Sequence, residues 1–207
     1  MSKKISKTKK MLIEVARELF AQNGKRNVTM NDIAEASRRG RRTLYTYFTN
    51  KEEIFRAVLN KELEHIVEQA KKAASENAEP DIRLRNLVIS HLDAIKYVVD
   101  RNGSLSADFF RDIYEVERAR RKTDQQVIDL IRVTLEEGLK KKIFKPMDPA
   151  LSSIIIFYAI KGLEVPYIRK TLTTQFEQHK TEIVEFVIRG IMSNQPHTSF
   201  YLAHPNT

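Results

Sequence analysis

Four arginines fall within five consecutive positions of this 207-residue chain, Arg38, Arg39, Arg41 and Arg42 around Gly40; Thr43, Tyr45, Thr46, Tyr47 and Lys51 lie close behind. A guanidinium carries a rigid fork of donors that fits two oxygens of a phosphate, or the O6 and N7 of a guanine. Thr and Tyr hydroxyls and a Lys ammonium add donors suited to the same partner. This is the chemistry of recognising a polyanion, with no bond made or broken. Elsewhere no set of His, Asp and Glu has metal-ligand spacing, and no Ser or Lys nucleophile has a recognisable base partner, so no metal, cofactor or catalytic role is expected.

The charge distribution supports that reading. Of the net charge of +9, residues 1–60 supply +8, from 14 Lys or Arg against 6 Asp or Glu. The remainder of the chain is close to neutral. Each phosphate neutralised by Lys or Arg releases condensed counterions, so a nucleic acid is the direct partner for such an end. An anionic membrane surface is the competing polyanion, disfavoured by Glu14 and Glu18 on the first amphipathic segment. No apolar run reaches the length of a membrane span and no leader-like segment opens the chain, so a soluble, cytoplasmic protein with no membrane partner is expected. Cysteine is absent, which excludes disulfides and thiolate-bound zinc.

With 42% hydrophobic residues and only 6 Gly and 6 Pro, the composition favours helices over a many-stranded fold. Met11, Leu12, Val15, Ala16, Leu19 and Phe20 recur at helical spacing, and Gly24 supplies a stop. Thr29 and Asp32 have the spacing of a capping box and open a short helix from Met30 to about Ala36. A turn through Ser37 to Gly40 leads to a third helix that turns Leu44 and Phe48 inward. Asn50 or Thr49 caps a fourth, longer helix whose apolar positions run from Ile54 to Ala70 and which bridges the N-terminal and C-terminal domains. Further helices are expected over about 80–100, 104–113, 114–142, 149–170 and 174–193, with Pro166 kinking or ending its helix. The fold class is therefore all-α, about nine helices: a three-helix helix-turn-helix domain at residues 1–50, a larger helical domain at 51–194, and a tail at 195–207.

The segment from Met30 to Ile54 resembles the N-terminal motif of TetR-family regulators, most specifically in Ile33-Ala34, in the run Thr43-Leu44-Tyr45-Thr46-Tyr47-Phe48, and in Lys51-Glu52. The resemblance spans roughly residues 8–65. It implies an all-helical homodimer that binds a palindromic double-stranded DNA operator and answers to a small-molecule effector in its C-terminal domain. By position it implies phosphate contacts from Thr29, Arg41, Tyr47 and Lys51, and major-groove contacts from Arg42, Thr43, Tyr45 and Thr46, with Arg38 and Arg39 adding to the DNA-binding set. The turn departs from the family: Arg38 stands where Gly is common, Gly40 where Ser commonly caps, and Arg42 replaces a second frequent Gly. A non-Gly residue in a left-handed turn costs about 1 kcal/mol. The alternative is a sequence-blind architectural DNA-binding protein, which would share the basic end but not a preference for one site.

In the C-terminal part, His91, Tyr97, Phe110, Tyr114, Tyr158 and Tyr167 lie on otherwise apolar helices and are candidates to line an effector pocket. Lys161 and Glu164 have the spacing of an ordinary i, i+3 pair. The last two helices carry more apolar surface than one domain side needs. Ile155, Ala159, Phe176, Ile183, Val187 and Ile191 are the candidate dimer surface, intramolecular core being the alternative.

Overall fold

The computed structural model describes residues 6–103, 113–168 and 173–193, with side chains described over 6–103, 118–164 and 178–193. Eight α-helices make up this part: α1 (Lys7–Asn23), α2 (Met30–Ala36), α3 (Arg41–Tyr47), α4 (Lys51–Ala74), α5 (Pro80–Asn102), α6 (Ile113–Lys140), α7 (Pro149–Ile168) and α8 (Thr173–Arg189), with a 3₁₀ turn at Lys25–Asn27. The helix expected at 104–113 falls almost wholly outside the described residues. Helix α7 remains helical through Pro166 to Ile168.

Local chemistry accounts for the boundaries. Ser6 caps α1 by accepting from the Lys9 amide, and the chain leaves α1 at Gly24, whose φ of 76° is open to glycine and whose N–H donates to the Phe20 carbonyl. Asn50 caps α4 through the Glu53 amide, while Glu52 and Glu53 sit favourably in its first turn and Lys71 and Lys72 in its last. Pro80 opens α5, and Asp148 accepts from the Ala150 and Leu151 amides at the start of α7.

Three apolar clusters are strung along α4. The first gathers Leu12, Ala16 and Phe20 of α1, Ile33 of α2, Leu44 of α3 and Phe48 against Ile54, Phe55 and Val58. Fully burying such side chains stabilises by about 1.5–3 kcal/mol each, enough to hold two seven-residue helices that would not persist alone. The second packs Leu59, Leu63 and Ile66 on Ala94, Ile95 and Val98 of α5. The third, the largest, joins Val67, Ala70 and Ala73 to α5, α6, α7 and α8 through Leu87, Ile131, Phe157 and Ile188. Helix α4 thus runs from the N-terminal core into the C-terminal bundle.

Candidate nucleic-acid interface

The turn between α2 and α3 is fixed from both ends. Thr29 Oγ1 accepts from the Asp32 amide at 3.2 Å and the Asp32 carboxylate takes the Thr29 amide at 2.7 Å, the reciprocal capping expected from the spacing. These hydrogen bonds hold the Asp32 carboxyl below its usual range. At the far end of α2, buried Ser37 donates its hydroxyl to the Ala34 carbonyl at 3.0 Å. Arg38 then adopts φ 51°, in the left-handed region, with its amide on the Glu35 carbonyl, and the Arg39 amide reaches Ala34 O at 3.1 Å. Gly40 caps α3 from extended backbone, without a side chain to help.

That geometry sets Arg38, Arg39, Arg41 and Arg42 on one exposed turn and helix start. Among the described residues none of the four makes a salt bridge or a side-chain hydrogen bond. Leu44 and Phe48 are buried, which leaves Tyr45 and Thr46 on the outer face of α3; Thr46 Oγ1 donates to the Arg42 carbonyl at 2.9 Å. Thr29 is exposed and Thr43 half-buried, while Tyr47 packs part of its ring on the N-terminal core. Lys51 has an internal role that sequence reasoning missed: its ammonium donates to the Lys25 carbonyl at 2.9 Å and the Arg26 carbonyl at 3.3 Å, tying α4 to the 3₁₀ turn. The Lys25 ammonium in turn sits 3.9 Å from the centroid of the Phe55 ring.

Among the described residues, those singled out as an effector pocket do not all come together: His91 and Tyr158 both meet Phe157, while Tyr97 lies apart. His91 is buried; its Nε2 lies 3.1 Å from Glu164 Oε1 and its ring edges onto Phe157. Tyr158 also makes an edge contact with the Phe157 ring and is exposed. Tyr97 lies elsewhere, 48% exposed, its ring 4.8 Å from that of His65 and its hydroxyl accepting from Arg101. Phe110 and the side chains of Tyr114, Tyr167 and Phe176 fall outside the described residues.

Two features here escaped the sequence. Lys161 and Glu164 do not serve merely as each other's neighbours: Lys161 Nζ reaches Asp124 at 2.7 Å, and Glu164, 2% exposed, lies 2.6 Å from Arg120 Nη2. This buried ionic cluster links α5, α6 and α7. The second feature comprises two grooves, of 480 Å³ between α1, α4 and the end of α5, lined by Lys9, Lys61, His65 and Arg101 among others, and of 370 Å³ between α4 and α6. Neither includes a residue singled out for an effector.

The outer face of α7 exposes Leu151, Ile154, Ile155, Tyr158 and Ala159, with Ile155 at 59%, and Phe186 of α8 is 84% exposed. Ile183, Val187 and Ile191 instead pack part of their surface on the C-terminal core. Among the described residues no helix is long and apolar enough to cross a membrane, and no cluster of His, Asp and Glu could hold a metal ion.

Residues 12–58 match the model of the bacterial regulatory proteins, tetR family. The chain is 25% identical over 191 residues to the uncharacterized HTH-type transcriptional regulator YhgD of Bacillus subtilis, covering 90% of this chain and 97% of that protein. It is 24% identical to a probable acrEF/envCD operon repressor of Escherichia coli, over 91% of this chain and 89% of the other. A solved transcriptional regulator from Cytophaga hutchinsonii superposes with a TM-score of 0.74 at 19% identity, over 89% of this chain and 98% of that one.

Proposed function

We propose that the chain, whose residues 12–58 match the tetR-family model and which is similar along its length to HTH-type transcriptional regulators, is a DNA-binding regulator of that family, a homodimeric repressor that leaves a palindromic operator when a small molecule enters its C-terminal domain. The observation that carries the reading is the set of four exposed arginines without an internal acceptor on the turn and at the start of α3. An exposed guanidinium cluster with no carboxylate beside it raises a local positive potential that only an outside anion relieves.

In this reading Arg42, Thr43, Tyr45 and Thr46 face base edges in the major groove, while Thr29, Arg38, Arg39, Arg41 and Tyr47 approach phosphates. Lys51 contributes charge at the same surface while holding the 3₁₀ turn. The functional division falls at residues 1–50 for DNA and 51–194 for effector and partner, with the first turns of α4 packed into the N-terminal core. A second copy covers the apolar face of α7 together with Phe186, since an uncovered strip of that kind on a monomer marks an association surface. The two recognition helices then stand about 34–36 Å apart, one turn of DNA. The effector acts by differential affinity, favouring dimers whose helices are wrongly spaced. The relative named as an operon repressor supports repression as the direction.

Selecting genomic fragments with the purified protein and sequencing the bound pool tests this. Two arginine-read half-sites about 10 base pairs apart are expected. An unpatterned pool would favour a sequence-blind architectural role instead, and a patterned pool whose binding no small molecule alters would remove the effector from the proposal.

A further inference from the structure

The carboxylate of Glu14 lies where three helices meet. It accepts from Arg17 Nε on its own helix at 2.7 Å, from Arg101 Nη2 near the end of α5 at 2.7 Å, and from the Lys61 ammonium of α4. Arg17, itself buried, donates Nη1 to the Arg101 backbone carbonyl at 3.0 Å. Alongside, buried Glu62 of α4 accepts from Asn102 Nδ2 at 3.2 Å, at the last residue of α5. The chain then turns at Gly103, with φ 43°, so close to α1 that a Cβ there would stand 3.1 Å from the Ala21 carbonyl oxygen. Burial alone would push the Glu14 carboxyl up; the hydrogen bonds from Lys61 and Arg17 and their charges bring it down to about 2.

Helix α1 belongs to the N-terminal core, and α5 is rooted in the C-terminal bundle. Among the described residues only helix α4 contributes to both cores, and one helix leaves the angle between them free to change as it bends or twists. A second attachment off the axis of α4 removes the freedom. Charge-assisted hydrogen bonds in a partly buried site are strong enough to serve as one.

We infer that Glu14 is a positioning residue for DNA binding: with Arg17, Lys61 and Arg101 it clasps the helix-turn-helix unit to the end of α5, fixes its angle to the C-terminal bundle, and passes displacement of α5 to α1. The inference rests on the DNA-binding reading and adds a second connection beside α4.

The chain has no cysteine, so cysteines placed at exposed Glu35 on α2 and Lys140 on α6 give one spin-label pair per protomer. Dilution with unlabelled protein isolates the distance within a protomer. One narrow distribution is expected for the otherwise unchanged chain. Glu14→Gln and Arg101→Leu each broaden it, and the double variant broadens it no further, because both break one clasp. Glu14→Gln lowers affinity for the selected palindromic fragment about tenfold, as loss of about 1.4 kcal/mol of positioning would, and leaves affinity for an isolated half-site unchanged. Distributions as narrow as the unchanged chain's in both single variants overturn the inference, as does an equal fall in affinity for full and half sites. Should the unchanged protein itself not prefer the full site, the dimeric operator reading fails, and the label distances still decide the clasp.

Discussion

Arg42 and Arg120 are chemically the same side chain in opposite settings. Arg42 opens α3 in solvent, and no acceptor among the described residues approaches it. Arg120 is set among helices, with Nη2 2.6 Å from Glu164 and Nε 3.6 Å from Asp124, while His91 and Lys161 complete the ring of contacts. The cluster balances two cations against two carboxylates and uses its hydrogen-bonding capacity to fix α5, α6 and α7 to one another. At the turn that capacity goes unused among the described residues. Arginine alone therefore says little about function; an internal carboxylate marks Arg120 as structural, and its absence among the described residues is what makes the turn arginines candidates for the proposed DNA contact.

The contrast can be broken from either side, and the larger effect belongs to the buried cluster. Glu164→Ala removes one of the two carboxylates of this buried cluster and leaves Arg120 and Lys161 to share Asp124, and should cost about 3–5 kcal/mol of stability in urea denaturation, with DNA affinity of the folded fraction unchanged. Burial pushes the Glu164 carboxyl up, but the Arg120 charge and the His91 hydrogen bond more than offset it, so its folded pKa lies below the ordinary 4.5. The corresponding stability is present above pH 4.5 and is lost as pH falls through the lower folded value. The gap between the unchanged chain and Glu164→Gln should therefore close in acid.

Arg42→Ala is the opposite case. It should weaken operator binding by about 1–3 kcal/mol and relax the preference at one base pair, while the urea midpoint stays where it was. A midpoint shift comparable to that of Glu164→Ala would place the turn arginines in the fold rather than at the DNA.

The two settings also differ in how far the sequence discloses them. The capping box of Thr29 and Asp32, the inward pair Leu44 and Phe48 and the cap at Asn50 lie within a few residues of their partners, so spacing alone gives the two short helices α2 and α3, the turn between them and the start of α4. The ionic cluster joins residues from 91 to 164 and the Glu14 clasp joins 14 to 101, separations at which no periodicity speaks. Lys161 and Glu164 show the failure directly: their i, i+3 spacing suggests an ordinary pair, while the structure gives them Asp124, Arg120 and His91. The apolar excess of the last helices was legible as surface plus core, but not how it divides. Ile155 faces out and Ile183 packs inward because the bundle around them decides which side is covered.

The smallest effect isolates Arg38, where binding and folding pull in opposite directions. Its φ of 51° is a conformation that glycine adopts freely and an arginine adopts at a cost of about 1 kcal/mol. Its side chain is exposed and has no partner among the described residues, so no interaction among them offsets that cost. Arg38→Gly should then stabilise the fold by up to about 1 kcal/mol, less the entropy that glycine adds to the unfolded chain. If Arg38 contacts a phosphate, the same variant should bind all DNA sequences more weakly by a similar factor and reduce the slope of log affinity against log salt by about one. Measuring both quantities on one variant separates the two roles. A gain in stability with the salt slope unchanged would detach Arg38 from the interface and leave Arg39, Arg41 and Arg42 as its basic set. A gain in stability with a reduced slope would show a strained backbone position kept at the DNA surface because its side chain is needed there.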